Sequence, residues 1–300
     1  MPVLQAPGFL PLLGSTLGLF RHARRGLDEP AALPRIERSL GGATLDPGWL
    51  RAYCDCVGLP SAGALPPLAL QLAAAPLHMA ILGDARFPFR ALGLVHLSQQ
   101  VRQTRALAAD ASFDLQAFST DARWEKRGMS FGLVTEARCA GELVWRGETR
   151  ALAPGKTRLA VTPAAPGGEG GERPGDAAWT CEHRLHVPEP TGRRYAGIAG
   201  DLNPIHQHAL LARLFGFRRA IVHGTWTLAR ALALTGQPAT EAFDLEARFR
   251  RPVELPSEVW VRARAGEAPG AHRVQVASVD GRTVYLSIRV EPLGDEETPA

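Results

Sequence analysis

Residues 195–206 read YAGIAGDLNPIH, and this stretch does more than any other to indicate the fold and the chemistry of the chain. Asn203 precedes Pro204, and a residue before proline avoids the helical conformation and favours a turn. Asp201 and His206 are therefore predicted to lie on a bent loop, across which their side chains can converge. A carboxylate and an imidazole aimed at one water molecule form a general acid and base pair, because histidine titrates near neutrality.

A less specific interpretation of the same pair is also open. Asp201 could simply cap a helix near Asn203, and His206 could be an ordinary, partly buried imidazole. For an isolated Asp and His five positions apart, this second interpretation is the commoner one. Only the surrounding sequence reverses that preference.

The sequence on the carboxyl side of the loop predicts one helix followed by antiparallel strands. Residues 225–235 carry Leu and Ala positions that support a helix, and Gly236 stands where a C-terminal cap is expected. Residues 259–263 and 284–290 alternate apolar and polar side chains, which is the period of a half-buried strand. The Asp-Gly pair at 280–281 is a strong hairpin turn signal.

The amino-terminal half repeats this order weakly. Pro-Leu-His at 76–78 and Leu-Val-His at 94–96 match Pro-Ile-His at 204–206 and Ile-Val-His at 221–223, with offsets of 18 and 17 residues. Residues 97–107 are compatible with a helix after the second match, as in the carboxyl-terminal half. These matches favour a tandem duplication of one domain.

That register makes the two halves unequal. His78 corresponds to His206, but Asp201 has only Ala73 or Ala74 opposite it. The amino-terminal half therefore lacks the carboxylate of the pair and is predicted to be degenerate.

The segment 162–178 is rich in Gly and Pro and contains no large apolar side chain. Such a segment cannot bury enough surface to fold alone, so we predict a linker or long loop. It separates residues 1–161 from residues 179–300, and each part has the usual size of one domain.

The composition bounds the class of protein. The 300 residues include 34 Lys and Arg against 30 Asp and Glu, and 45% of them are hydrophobic, which is typical of a soluble globular protein. The net charge of +4 suits the phosphates of coenzyme A or an acidic carrier protein, although a GC-rich genome explains the arginines equally well. No basic run is interleaved with aromatic residues, so nucleic acid is not predicted as a partner.

Targeting and metal signals are weak. Residues 8–20 are apolar, but basic residues follow this stretch instead of preceding it, and it is too short to span a bilayer. The four cysteines include one close pair, Cys54 and Cys56, without the second pair of a zinc site. The sequence predicts a cytoplasmic protein with reduced thiols, no membrane span, no metal and no cofactor.

The residues around the loop resemble the signature of the MaoC-like dehydratases, also called hydratase 2 or (R)-specific enoyl-CoA hydratases. The sequence RFRRPV at 248–253 also resembles a strand of that family, whereas 255–257 (LPS) depart from its frequent Pro-Gly-Asp turn. The matching residues of the signature are Tyr195, GDLNPIH at 200–206, Ala212, Gly216, Phe217 and IVHGT at 221–225.

The resemblance implies an α+β tandem (double) hot-dog fold, in which each half is an antiparallel sheet wrapped around a central helix. It also implies reversible hydration of trans-2-enoyl thioesters to (R)-3-hydroxyacyl thioesters, on coenzyme A or acyl carrier protein. Asp201 and His206 would activate water, and the Gly224 N–H would hold the thioester carbonyl. The degenerate half would complete the sheet and widen a tunnel for a long acyl chain. The residues expected to bind substrate or support the loop are Gly224, Asn203, His223 and Thr225.

Some alternatives stay open. His223 either shapes the pocket or is simply satisfied by backbone hydrogen bonds. The protein could instead be a hot-dog thioesterase or a non-catalytic acyl-thioester-binding subunit, but the pairing of Asp201 with His206 argues against both. A monomer is allowed, and so is a homodimer, because exposed sheet edges can pair.

Overall fold

The structure is a computed structural model of the 300-residue chain. It describes residues 3–4, 33–60, 63–91, 93–155, 178–237 and 242–293. The predicted linker lies outside the described residues except for its last residue, Ala178. Within the described ranges, no helix is long and apolar enough to cross a membrane.

One sheet of 11 strands forms the frame of the described part of the chain, and short helices pack against it. The strands are β1 Val3–Leu4, β2 Glu37–Leu45, β3 Val95–Gln103, β4 Phe113–Glu125, β5 Gly128–Cys139, β6 Glu142–Pro154, β7 Cys181–Val187, β8 Phe243–Phe249, β9 Ser257–Ala265, β10 His272–Ser278 and β11 Val284–Pro292. The helices are α1 Pro47–Val57, α2 Ala69–Ala73, α3 Ala75–Leu82, α4 Thr191–Ala199, α5 Ala209–Arg213 and α6 Gly224–Leu234, with a 3₁₀ turn at Pro204–His206.

The strand order repeats between the two halves. It runs β1-β2-β4-β5-β6-β3-β8-β11-β10-β9-β7. Apart from β1, the order is the same in both halves when the strands of each half are counted along the chain. From the outer edge to the centre of the sheet it runs first, third, fourth, fifth and second strand. All pairs are antiparallel except β1 with β2. This repetition confirms the predicted α+β double hot-dog fold.

The halves are joined at β3 and β8, which pair from Ser98 with Arg248 to Gln103 with Phe243. They also share the main apolar core, which contains Trp145 of the first half and Leu228 of the second. Burial of such large side chains contributes roughly 2 kcal/mol each. The pairing of β3 with β8 makes the sheet continuous through the centre of the molecule.

Helix α1 of the first half braces α4 and α6 of the second half. The indole Nε1 of Trp49 donates to the carbonyl oxygen of Ile198 at 2.9 Å. From the other side, Trp226 Nε1 donates to the carbonyl oxygen of Cys56 at 3.2 Å, and Arg230 donates to that of Val57 at 3.1 Å. These bonds fix the position of α6 relative to the loop that precedes it.

The carboxyl-terminal predictions are confirmed. Residues 225–234 fall on α6, Thr235 is its C-cap, and Gly236 follows in the left-handed conformation with φ 67°. The alternating stretches are β9 and β11, and the pair 280–281 turns the chain between β10 and β11.

The prediction of a helix at residues 97–107 is wrong, because most of that stretch belongs to β3. Its buried positions alternate as in any strand, but two of them are polar, Gln99 and Gln103. Gln99 Oε1 accepts from Thr149 Oγ1 at 2.7 Å, and Gln71 donates to the same hydroxyl at 2.9 Å. Because these partners satisfy a buried glutamine, the strand period is hidden in the sequence.

The predicted register of the repeat is also wrong. Helices α1 and α4 each follow the first strand of their half, and each ends at a left-handed glycine, Gly58 with φ 73° and Gly200 with φ 71°. Leu59 therefore corresponds to Asp201. His78 lies on α3, which precedes the second strand of its half as α6 does, so it does not correspond to His206.

The two halves differ most in the connection after these glycines. Isolated bridges mark equivalent points further along, Ala64 with Ala108 in the first half and Ile221 with Glu254 in the second. Gly58 and Ala64 are six positions apart, whereas Gly200 and Ile221 are 21 apart. The first half therefore lacks the long loop that carries Asp201 and His206 in the second half.

Candidate active site

The loop after α4 is bent by its own side chains. Gly200 turns the chain in the left-handed conformation, which glycine adopts at no steric cost. Asp201 Oδ1 then accepts a hydrogen bond from the Asn203 N–H at 3.1 Å, and Asn203 Oδ1 accepts one from the Ile205 N–H at 3.4 Å. Asn203 thus caps the 3₁₀ turn that ends at His206. The bent loop is confirmed.

His206 is held in one tautomer by the backbone. Its side chain is buried, and its Nδ1 lies 2.8 Å from the carbonyl oxygen of Ile221. Since a carbonyl oxygen only accepts, Nδ1 must carry a proton, and in the neutral ring Nε2 then keeps a free lone pair. That Nε2 lies 3.8 Å from Oδ2 of Asp201.

His223 lies against the same carboxylate. Its Nε2 donates to the backbone oxygen of Asp201 at 3.1 Å and lies 3.8 Å from Oδ2. Its ring stacks on His206 with the centroids 3.7 Å apart, and Tyr195 packs edge-on to it at 5.1 Å. Burial, with a smaller effect of His206, lowers the pKa of His223 to about 4, so the ring is neutral at neutral pH. His223 lines the cavity and bonds to backbone through Nε2, whereas its buried Nδ1 has no partner among the described residues.

Asp201 is ionised at neutral pH. Its side chain is 52% exposed because it faces the cavity, although protein atoms crowd it closely. That crowding acts to raise the pKa of the carboxyl, but the nearby rings of His223 and His206 and the Asn203 N–H lower it more. The net pKa lies below the ordinary value. The site therefore presents a carboxylate next to two imidazoles.

A cavity of about 360 Å³ opens in front of this group. That size suits a small ligand. One wall belongs to the active-site loop and the start of α6, and the opposite wall comes from the amino-terminal half. The residues of that opposite wall are Leu94, Val95, His96, Leu97, Arg127, Leu152 and Pro154.

Gly224 and Thr225 bring the start of α6 into the cavity. The first N–H groups of a helix have no partner within the helix, and the helix dipole makes them attract negative charge. A Cβ at Gly224 would lie 2.9 Å from Cε1 of Phe249, so only glycine fits here. The N–H groups at this helix start are positioned to receive an oxygen that gains charge.

His96 is a cavity residue for which the sequence analysis assigned no role. It lies on β3, its ring is 4.4 Å from that of Phe249, and its Nε2 is buried without a partner among the described residues. Burial lowers its pKa to about 4, against smaller opposing effects of Ser98 and Asp201. In the sequence, His96 was noted only because the triplet at 94–96 matches the triplet at 221–223. Its place in the site depends on the pairing of β3 with β8, which no local pattern indicates.

The site also contains a set of metal-ligand types. Asp201, His206 and His223 each offer one ligand atom, and these atoms lie within 4.8 Å of one another. Two imidazoles and a carboxylate can hold a transition metal. However, His223 already donates its Nε2 proton to the Asp201 backbone, so its lone pair points elsewhere. The arrangement fits proton transfer more directly than metal binding.

Comparisons with known proteins identify the family of this chain. Residues 174–285 match the family model described as MaoC like domain. The 3-hydroxyacyl-thioester dehydratase X of Mycobacterium tuberculosis is 30% identical over 238 residues, which cover 78% of this chain and 82% of the relative. A crystal structure of HtdX from the same organism matches with TM-score 0.73 at 25% identity, over 86% of this chain and 100% of that chain. A MaoC-like dehydratase from Phytophthora capsici shows the same fold, with TM-score 0.67 at 14% identity, over 91% and 100%.

The fold and the family match together define a hot-dog enzyme of the hydro-lyase class, which adds or removes water. The chain belongs to the MaoC-like dehydratase family.

Proposed function

We propose that the protein catalyses the reversible hydration of trans-2-enoyl thioesters to (R)-3-hydroxyacyl thioesters. The observation that carries the proposal is the 3.8 Å gap between Asp201 Oδ2 and the free Nε2 of His206. This gap is too long for a direct hydrogen bond, but one water molecule can bond to both atoms. The name of the Mycobacterium tuberculosis relative, a 3-hydroxyacyl-thioester dehydratase, supports the same substrate class.

Asp201 and His206 would act on that water together. The water oxygen bonds to C3 of the enoyl group while His206 Nε2 takes one water proton. The electron pair of the double bond moves towards the thioester oxygen, and the proton on the imidazolium then passes to C2. Asp201 stays ionised, orients the water and stabilises the imidazolium. The reverse sequence is dehydration.

Gly224 would stabilise the charge that develops on the thioester oxygen. Its N–H stands at the start of α6 on the cavity surface, where the helix dipole favours negative charge. Donors of this kind typically contribute about 3 kcal/mol to the transition state. Thr225 lines the cavity beside it, and Asn203 keeps the loop in shape.

The amino-terminal half would form the wall against which the acyl thioester packs, since β3 and β6 contribute apolar lining. This supports the proposed tunnel for an acyl chain. The four cysteines are free thiols, which suits the cytoplasm as the proposed compartment.

The test is the loss of the enoyl-thioester absorbance band when the protein is mixed with crotonyl-CoA and then with trans-2-decenoyl-CoA. We expect the wild type to remove the band and Asp201→Asn and His206→Gln to lose most of that activity. His186→Gln is the matched control, because His186 is exposed on the edge strand β7 and does not line the cavity.

Other outcomes point to the alternatives. Release of free thiol without hydration would make the protein a thioesterase. Binding of both thioesters without any turnover would make it a binding subunit. Full activity in Asp201→Asn would remove that carboxylate from the mechanism.

A further inference from the structure

Exposed apolar side chains cluster beside the active-site loop. Seven large hydrophobic side chains are exposed among the described residues, and five of them lie within residues 202–215. Single exposed apolar residues are normal, but a cluster of this kind marks an interaction surface. Leu214 is the most exposed at 79%. These five residues, called here the apolar patch, are Leu202, Leu210, Leu211, Leu214 and Phe215.

Ordered contacts hold most of the patch outward. Ala212 anchors α5, since it is fully buried and its N–H bonds to the carbonyl oxygen of His208 at 3.0 Å. Gly216 ends the segment with φ 85°, and Phe217 then lines the cavity. His206 lines the cavity on the other side of the segment. The patch therefore borders the cavity entrance.

Positive charge surrounds the patch. Residues 190–223 include five arginines and one acidic residue, Asp201, which faces the cavity. Two more exposed arginines, on the segment after β8, line the cavity itself. None of these seven arginines forms a salt bridge with a residue in the described ranges. Five of them are called here the arginine rim. They are Arg213, Arg218, Arg219, Arg250 and Arg251.

We infer that this surface docks an acidic acyl carrier protein, which delivers the acyl thioester on its flexible prosthetic arm. The inference rests on the proposed function, because it names the carrier of the same substrate. Guanidinium groups pair well with the carboxylates of an acidic helix, and the apolar patch buries apolar side chains of the same helix. Coenzyme A offers phosphates to the arginine rim but nothing that needs the apolar patch.

The location of the patch favours a carrier protein over a lipid surface or a second copy of this chain. A thioester enters through the cavity mouth, and the group that carries it must rest outside that mouth. A bilayer or a second chain has no such reason to sit there. Both are outcomes of the test.

The experiment compares two double variants of the full chain. Leu210→Ser with Leu214→Ser changes the apolar patch, and Arg218→Glu with Arg219→Glu changes the arginine rim. Val279→Ser and Arg282→Glu are the matched controls, since both residues are exposed at the turn between β10 and β11. Binding of a fluorescently labelled acyl carrier protein is measured by anisotropy. Turnover is measured with crotonyl-CoA and with crotonyl acyl carrier protein.

We expect both double variants to bind the carrier protein at least about tenfold more weakly, as loss of well-placed interface contacts typically does. KM for crotonyl acyl carrier protein should rise to match while kcat stays unchanged, and Leu210→Ser with Leu214→Ser should leave the turnover of crotonyl-CoA unchanged. The controls should behave as wild type. Because binding is read without turnover, absence of hydration with retained binding would refute the proposed function and leave the docking surface supported.

Four results would overturn the inference. The first is that the wild type does not bind the carrier protein, and the second is that both double variants lose crotonyl-CoA turnover to the same extent. The third is that the wild type and the controls bind phosphatidylglycerol vesicles whereas the double variants do not, and the fourth is that sedimentation velocity shows a dimer for the wild type and the controls but not for the double variants.

Discussion

Gly224→Ala tests the role of the α6 start most directly. The added Cβ would meet Phe249 Cε1 at 2.9 Å and Cδ1 at 3.0 Å, and real Cβ atoms essentially never come closer than 3.0 Å. The ring cannot retreat freely, because His96 lies on it with the centroids 4.4 Å apart. The helix start must shift by several tenths of an ångström. Because a misplaced donor loses much of its effect, we expect kcat to fall about 10- to 100-fold with little change in KM.

The assay is steady-state hydration of crotonyl-CoA, with thermal unfolding as a check on the fold. Gly197→Ala is the matched control, since Gly197 lies on α4 where an added Cβ would meet no neighbour within 4 Å, and alanine should stabilise that helix. Adding Phe249→Leu to Gly224→Ala should restore part of the activity by giving the Cβ room. A kcat equal to wild type in Gly224→Ala would refute the assignment of this N–H.

Three further predictions concern buried imidazoles. His96→Leu should raise the free energy of unfolding by about 1–2 kcal/mol in urea titration, because it removes the unpaired buried Nε2. A loss of stability would show that the hydrogen bond between His96 and the Ser98 backbone outweighs that effect. The pKa values of His78, His96 and His223 are each lowered from 6.5 to about 4, so the unfolded chain binds more protons below pH 6.5. The free energy of unfolding should therefore fall between pH 6.5 and 4 by up to roughly 3 kcal/mol per histidine. The total fall should be smaller in His78→Gln, which lacks one of these histidines. Equal stability at pH 7 and pH 5 would contradict this prediction. EDTA should leave hydration unchanged, because His223 Nε2 already bonds to backbone; activity lost and then regained with one added metal would show the opposite.

The features predicted correctly are those with a local cause. Asn203 before Pro204 bends the loop without help from distant residues. The apolar spacing of α6 and the alternation in β11 are likewise present within one short segment. Such patterns identify an element wherever it lies in the fold.

The features missed depend on partners far along the chain. The sequence of β3 resembles that of a helix because Gln99 is polar, and its partner Thr149, which helps to explain its burial, lies 50 residues later. The register of the repeat was misread because the loop after Gly200 is longer than its counterpart after Gly58, so equal spacing of similar triplets was misleading. His96 enters the site only through the pairing of its strand with β8.

The unequal connections after Gly58 and Gly200 have an evolutionary consequence. In a symmetric dimer of single domains, one substitution alters two sites at once, and each wall residue must serve both. In this chain the loop occurs once, and the facing wall around Leu152 is encoded separately from its counterpart around Leu286. Selection can therefore reshape the wall around Leu152 without changing Asp201 and His206.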